Sequence, residues 1–194
     1  MNTKPLLDYI SKYITLTDEE EVFFISKLTY RKYLKGQYIV QQGDICDKTS
    51  FLISGCSKTF YVDDKGQEHI VLFAIEDWWV SDIGSFITQT PADYNVQCIE
   101  NTEFIQFSYQ DQELLLDKIP KLERLFRKMI EKALVSTQKR IVRGFSLNAK
   151  EQYLYFKQHY PTIEQRVPQY MIASYLGITK EFLSKIKSQI LLEQ

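Results

Sequence analysis

The hydrophobic period of this chain changes once, and that change limits the folds open to it. Between Tyr30 and Phe107, β-branched and aromatic residues gather in short runs: Tyr38–Val40, Ser50–Ile53, Lys58–Val62, Ile70–Ala74, Val96–Ile99 and Glu103–Phe107. Turn signals separate them at Lys35-Gly36, Gln42-Gly43-Asp44, Ser54-Gly55, Asp63-Asp64-Lys65-Gly66 and Thr90-Pro91. Short strands at this spacing predict an all-β sandwich or barrel, with the Asp-Lys-Gly tip as a hairpin loop. From Leu114 the period is helical. Pro120 fits the first turn of a long helix, where its missing N–H costs little. The apolar positions carry that helix to about Phe145, roughly 39 Å long. A further helix is expected from about Asn148 to just before Pro161, and Pro168 reads as another helix start after a short connection through Arg166 and Val167. Ahead of the β region, residues 6–28 read as one or two short helices. Leu6, Leu7, Ile10 and Ile14 recur at helical spacing, and Thr17 with Glu20 three residues on forms a capping box. Val22, Phe23, Ile25 and Leu28 would supply the apolar side of the second.

The stretch Val167–Gln189 reads as a helix-turn-helix. Ile172, Ala173, Leu176, Ile178, Leu183 and Ile186 fall where two helices crossing at a sharp turn must touch. Gly177 stands where the turn needs a positive φ, and Thr179 is the N-cap of the second helix. That leaves Thr179, Lys180, Glu181, Ser184, Lys185 and Ser188 on the outer side, a polar set suited to the major groove. Lys180 and Lys185 would donate to guanine or phosphate, and Glu181 would accept from cytosine. Ser184 and Ser188 would make adjustable or water-mediated contacts. Gln169 and Thr179 at helix starts, with Lys187, are expected on phosphates. The plain alternative is a helical hairpin that closes a small core.

The net charge of −1 hides an asymmetry. Residues 1–117 carry 9 Lys/Arg against 19 Asp/Glu, a net of −10, and residues 118–194 carry 15 against 6, a net of +9. Such a division suits a chain that sets one part against a polyanion and keeps the other away. Apolar residues at 44% are enough for a real core. The N-terminus has neither a signal-peptide nor a transit pattern, and no apolar run reaches a membrane span, so a cytoplasmic protein is expected. Cys46, Cys56 and Cys98 lack metal-ligand spacing and only His69 and His159 accompany them, so buried reduced thiols are expected and no metal.

Helices, a β-rich region, a long helix and a helix-turn-helix occur in the order found in the cyclic-AMP receptor protein and fumarate–nitrate regulator (Crp/Fnr) family of bacterial transcription factors, which the chain resembles over nearly its whole length. The resemblance rests on Leu34-Lys35-Gly36-Gln37-Tyr38-Ile39-Val40-Gln41-Gln42-Gly43-Asp44, on Phe51-Leu52-Ile53-Ser54-Gly55 and on Asp64-Lys65-Gly66. It rests also on Gly177-Ile178-Thr179-Lys180-Glu181-Phe182-Leu183-Ser184-Lys185-Ile186, which is similar to the family's recognition helix. It implies an α+β fold: a cyclic-nucleotide-binding-like β-roll with flanking helices in residues 1–117, a dimerisation helix and hinge in 118–146, and an all-α helix-turn-helix unit in 147–194. A hinge is expected near Gly144. In nucleotide-binding members a Gly-Glu pair and a later Arg hold ribose and phosphate. Here Ser81 and Asp82 stand in for the pair, and the Arg position falls near Ala92 or Asp93. No arginine occurs between Arg31 and Arg124, which argues against cyclic AMP as effector. Trp79, Ser81, Asp82 and Tyr94 are the residues expected to meet any other effector. Asp82 reads equally as a solvated loop acid, and Trp78, Trp79, Tyr94 and Phe86 either line an apolar pocket or fill the core. The chain stops a few residues after the recognition helix, so the usual trailing β-hairpin wing is expected to be missing.

A homodimeric, sequence-specific regulator of double-stranded DNA is therefore expected, not an enzyme. RNA polymerase and an unidentified small molecule are expected partners, and a membrane is not. The long helix would dimerise through Leu122, Leu125, Phe126, Met129, Ile130, Ala133 and Leu134, with one edge of its stripe on the β domain and the other on a second copy. Its outer side is basic, with Arg124, Arg127, Lys128, Lys132, Lys139, Arg140 and Arg143. The alternative is a small-molecule sensor whose helix-turn-helix no longer binds DNA. A barrel-type metal-dependent dioxygenase would need a ligand pattern that two distant histidines do not supply.

Overall fold

The six expected β runs are all strands, and two further strands join them. The computed structural model describes residues 1–193. Helices α1 (Lys4–Ser11) and α2 (Asp18–Ser26) precede strands β1 (Thr29–Tyr33), β2 (Tyr38–Val40), β3 (Lys48–Ser54), β4 (Ser57–Val62), β5 (Glu68–Ala74) and β6 (Trp79–Val80). A short helix α3 (Ile83–Thr88) leads to β7 (Asn95–Cys98) and β8 (Thr102–Ser108). The helical part comprises α4 (Tyr109–Lys118), α5 (Leu122–Ser146), α6 (Ala149–His159), α7 (Pro161–Arg166), α8 (Gln169–Leu176) and α9 (Lys180–Leu192). Strand β1 escaped the sequence reading because its run, Thr-Tyr-Arg-Lys-Tyr, has no buried face; it pairs as an edge with β8. Helix α7 escaped because Pro161 reads as a stop, yet it begins this helix, where a missing N–H is harmless. Pro120 sits in a turn two residues before α5.

Two antiparallel four-stranded sheets, in orders β1-β8-β3-β6 and β2-β7-β4-β5, face each other. The strand period of two then sorts neighbouring residues into different cores. Leu52, Phe104, Val80 and Ala74 point between the sheets, with Val40 and Val96. Their neighbours Phe51, Ile105 and Trp79 point out of the first sheet, under Leu6, Ile10, Phe24, Leu115, Leu122 and Leu125 of the flanking helices. Of α2 it is Phe24 that is buried, while Val22 is exposed. Phe73, beside Ala74, points out of the second sheet with Phe60 and Ile70, and there it meets Phe156, Met171, Ile172 and Leu183 of α6, α8 and α9. The helix-turn-helix unit therefore shares a core with the roll instead of hanging from α5 alone. The close approach of β3–β4 to β8 needs Gly55. Its φ is +110°, and a Cβ there would lie 2.5 Å from Thr102 Oγ1. Cys46, Cys56 and Cys98 are buried and unbonded. Burial pushes the Cys56 and Cys98 thiols up to about 12 and about 11, so both are protonated at neutral pH.

Candidate functional site

The helix-turn-helix forms as its residues dictate. Gly177 closes α8 in the left-handed region at φ +70°, with Gly177 N–H on Ser174 O and Ile178 N–H on Ala173 O. Thr179 Oγ1 then accepts the Phe182 N–H at 3.2 Å and starts α9. Ile172, Ala173, Leu183 and Ile186 are buried at the crossing. Thr179, Lys180, Glu181, Ser184, Lys185 and Ser188 lie exposed on α9, and Gln169 is exposed at the start of α8. Phe182 shares that surface at 48% exposure, an apolar member among the polar positions. Lys187 is held within the chain. Its Nζ donates to Glu164 Oε1 at 3.1 Å and lies 5.7 Å from the Tyr153 ring centroid, so it braces α9 against α6 and α7.

Polar contacts tie this unit to the roll along the free edge of β5. Ser174 Oγ accepts the Ile70 N–H at 3.1 Å and donates to Glu68 O at 3.0 Å. Arg140 of α5 donates to Val71 O and, at 3.3 Å, to Tyr175 O. These side chains satisfy edge groups that would otherwise offer a template for another strand. Arg166, at the end of α7, forks onto two roll carboxylates: Glu76 at 2.8 and 3.1 Å, and Glu100 at 3.1 and 2.6 Å. Burial alone would raise Glu76. Hydrogen bonds from Arg166, its own backbone N–H and Gly55 N–H outweigh that and hold it below the usual glutamate range. The hydrogen bonds that Arg166 donates to the Glu100 and Glu76 carboxylates push its guanidinium further up. Neither Arg166 nor Ser174 stood out in the sequence, because each needs partners 66 to 106 residues away.

The four residues expected at an effector do not converge. Asp82 is 4% exposed and its carboxylate is filled from within: Oδ1 accepts the Ser85 N–H at 3.0 Å, and Oδ2 accepts the N–H groups of Asp93 and Tyr94 at 2.9 and 3.0 Å. It caps α3 and pins the chain ahead of β7, so an internal anion takes the backbone donors that a bound phosphate would need. Ala92, near the expected Arg position, is buried between the sheets. Trp79 turns to the opposite side of its sheet, with its ring 5.2 Å from Phe51 and 5.6 Å from Phe107, centroid to centroid, which removes it from the effector set. Ser81 and Tyr94 are half-buried beside Asp82. Phe86 is core.

Along α5, Leu122 and Leu125 are fully buried in the chain's own core and are not available to a second copy. Phe126 and Met129 pack partly on the same core. Beyond them every residue from Ile130 to Lys139 is exposed, including Ile130, Ala133 and Leu134, and so are Ile141, Val142 and Phe145. The basic side is partly neutralised, since Arg127 and Lys128 pair with Glu131.

Residues 30–118 match the cyclic nucleotide-binding domain family. Nothing among curated proteins matches the chain. Among solved structures it is similar to the c-di-GMP-responsive global regulator CLP of Xanthomonas campestris, at 17% identity over 91% of this chain and 93% of that one, with a TM-score of 0.73. It is similar also to FixK2 from Bradyrhizobium japonicum, at 15% identity over 86% and 85%, with a TM-score of 0.74. The sensor domain of the transcriptional regulator DNR from Pseudomonas aeruginosa gives 20% identity over 75% and 95%, with a TM-score of 0.56. At these identities the likeness establishes a shared fold, a cyclic-nucleotide-binding-type roll followed by helices. Among the described residues no helix is long and apolar enough to cross a membrane.

Proposed function

We propose that this chain is a cytoplasmic, homodimeric transcription regulator of the Crp/Fnr type that binds double-stranded DNA through α9 and does not answer to cyclic AMP. The division is 1–117 for the roll, 118–146 for the dimerisation helix and hinge, and 147–194 for DNA. The observation that carries the reading is the exposed face of α9, where Lys180, Glu181, Ser184, Lys185 and Ser188 stand on a helix whose other face is fully buried. A helix anchored in this way can enter a major groove without unpacking anything. Lys185 and Lys180 read guanine or grip phosphate, Glu181 accepts from cytosine, and Gln169 and Thr179 position the unit on the backbone. The apolar face of α5 from Ile130 to Phe145 supports pairing with a second copy, which sets two half-sites about 34 Å apart. Asp82 supports the exclusion of cyclic AMP, because a phosphate diester would displace a carboxylate that three N–H groups already hold. RNA polymerase and a small effector are partners that this reading implies. Lys185→Ala should weaken a cognate site by about 1–3 kcal/mol if its contact is to a base. Gel-shift titrations with unchanged affinity and sequence preference would remove that assignment.

The docking of the helix-turn-helix on β5 favours a second reading, a sensor whose helical unit now serves the roll. Tight small-molecule binding with no enrichment of any DNA sequence would support that reading over the first.

A further inference from the structure

Between β5, α5 and the docked helices lies a cavity of about 190 Å³. We propose that it is a binding site for a small aromatic carboxylate, one ring carrying one anionic group, held between the roll and the helix-turn-helix unit. The size sets the ring count. A cavity of about 150 Å³ admits a benzene ring, and pockets for drug-sized ligands begin near 300 Å³. The walls set the chemistry. The roll contributes Leu72, Phe73 and Trp78, and the helical unit contributes Phe156, Tyr160 and Tyr175. The aromatic side chains stand tilted or edge-on to one another, with centroids 5.4–6.4 Å apart, a cage that suits another aromatic ring.

The third wall is α5, which presents Thr137, Arg140 and Arg143. Among the described residues no Asp or Glu lines the cavity. Among the described residues neither arginine has an ion-pair partner. Arg140 gives two N–H bonds to Val71 O and Tyr175 O and retains the rest of its fork, while Arg143 lies 4.0 Å from the Tyr155 ring centroid with its edges free. Two uncompensated guanidiniums beside an aromatic cage favour an anion whose body is apolar. None of these residues belongs to the surroundings of Asp82. A ligand that touches both walls binds the docked arrangement better than any other, and so stabilises it. The site stands whether or not α9 binds DNA.

The test is calorimetric titration of the intact chain with benzoate and with its neutral isostere benzamide, followed in parallel by tryptophan fluorescence. Benzoate should bind saturably and about tenfold tighter than benzamide, the worth of a charge-assisted hydrogen bond. The fluorescence change should vanish in Trp78→Phe, which keeps Trp79 on the far face of the roll. Arg143→Gln should lose the preference for benzoate, and Arg166→Ala should weaken benzoate although Arg166 does not line the cavity. Absence of saturable benzoate binding to the unmodified chain overturns the proposal without reference to any variant. Equal affinity for the two probes, or a fluorescence change that survives Trp78→Phe, overturns it as well.

Discussion

Asp82 carries more consequence than any other single residue. Three backbone N–H groups converge on its carboxylate, one from α3 and two from the loop just ahead of β7. Removing the carboxylate strands the buried Ser85 donor and the partly buried Asp93 and Tyr94 donors, at about 1–3 kcal/mol for each one that no water reaches. Asp82→Ala should therefore lower the unfolding free energy by about 2–4 kcal/mol in denaturant titration. Asp82→Asn, which keeps an acceptor oxygen, should lose less. A neutral effect of Asp82→Ala would mean that the carboxylate holds nothing, and would reopen the cradle to a ligand. Position and type were legible in the sequence, as an acid beside a missing arginine. The role was not, since the acceptance of N–H groups from residues 93 and 94 depends on how a loop folds back.

At the scale of elements, the seam between the roll and the helix-turn-helix decides how the molecule is held. Its polar part is Arg166 with Glu76 and Glu100, and its apolar part is the contact of Phe73 with Phe156 and Tyr175. Arg166→Ala should destabilise the chain by about 1–2 kcal/mol, more than an exposed pair, because the fork is bidentate and partly covered. The seam also has a pH signature. Glu76 titrates below its unfolded value of about 4.3, so its contribution is complete above that value and is lost as pH falls through the lower folded one. The thermal midpoint of the native chain should exceed that of Glu76→Gln at neutral pH, and the gap should close below about pH 4. A gap that persists in acid would place the effect elsewhere. The strands and both helix-turn-helix elements were readable because local period and turn chemistry specify them, as Gly177 and Thr179 illustrate. The seam was not, because Ser174, Arg140 and Arg166 look like surface residues until the sheet they meet is in place.

At the scale of the whole molecule, α5 is the element without enough neighbours. Its first turns are buried with Leu122 and Leu125, but every residue from Ile130 to Lys139 is exposed, and Phe145 is 86% exposed. An apolar helix face of this length is ordinarily covered by a partner, most simply by its own copy. Leu122 and Leu125, at the start of the apolar stripe, pack on the chain's own core, since spacing alone cannot distinguish a stripe that packs on the roll from one left for a second chain. Leu134→Glu combined with Ile141→Glu should leave the fold intact, because both residues are exposed, and should convert a dimer to a monomer in sedimentation velocity. A monomeric native chain would contradict the proposed assembly, and with it the two-half-site geometry. The most direct test of the whole account is selection of bound sequences from random duplex DNA by the intact protein. The account predicts an enriched palindrome with half-sites about one helical turn apart, lost in Lys180→Ala with Lys185→Ala. No enriched sequence, or enrichment untouched by those substitutions, would contradict it.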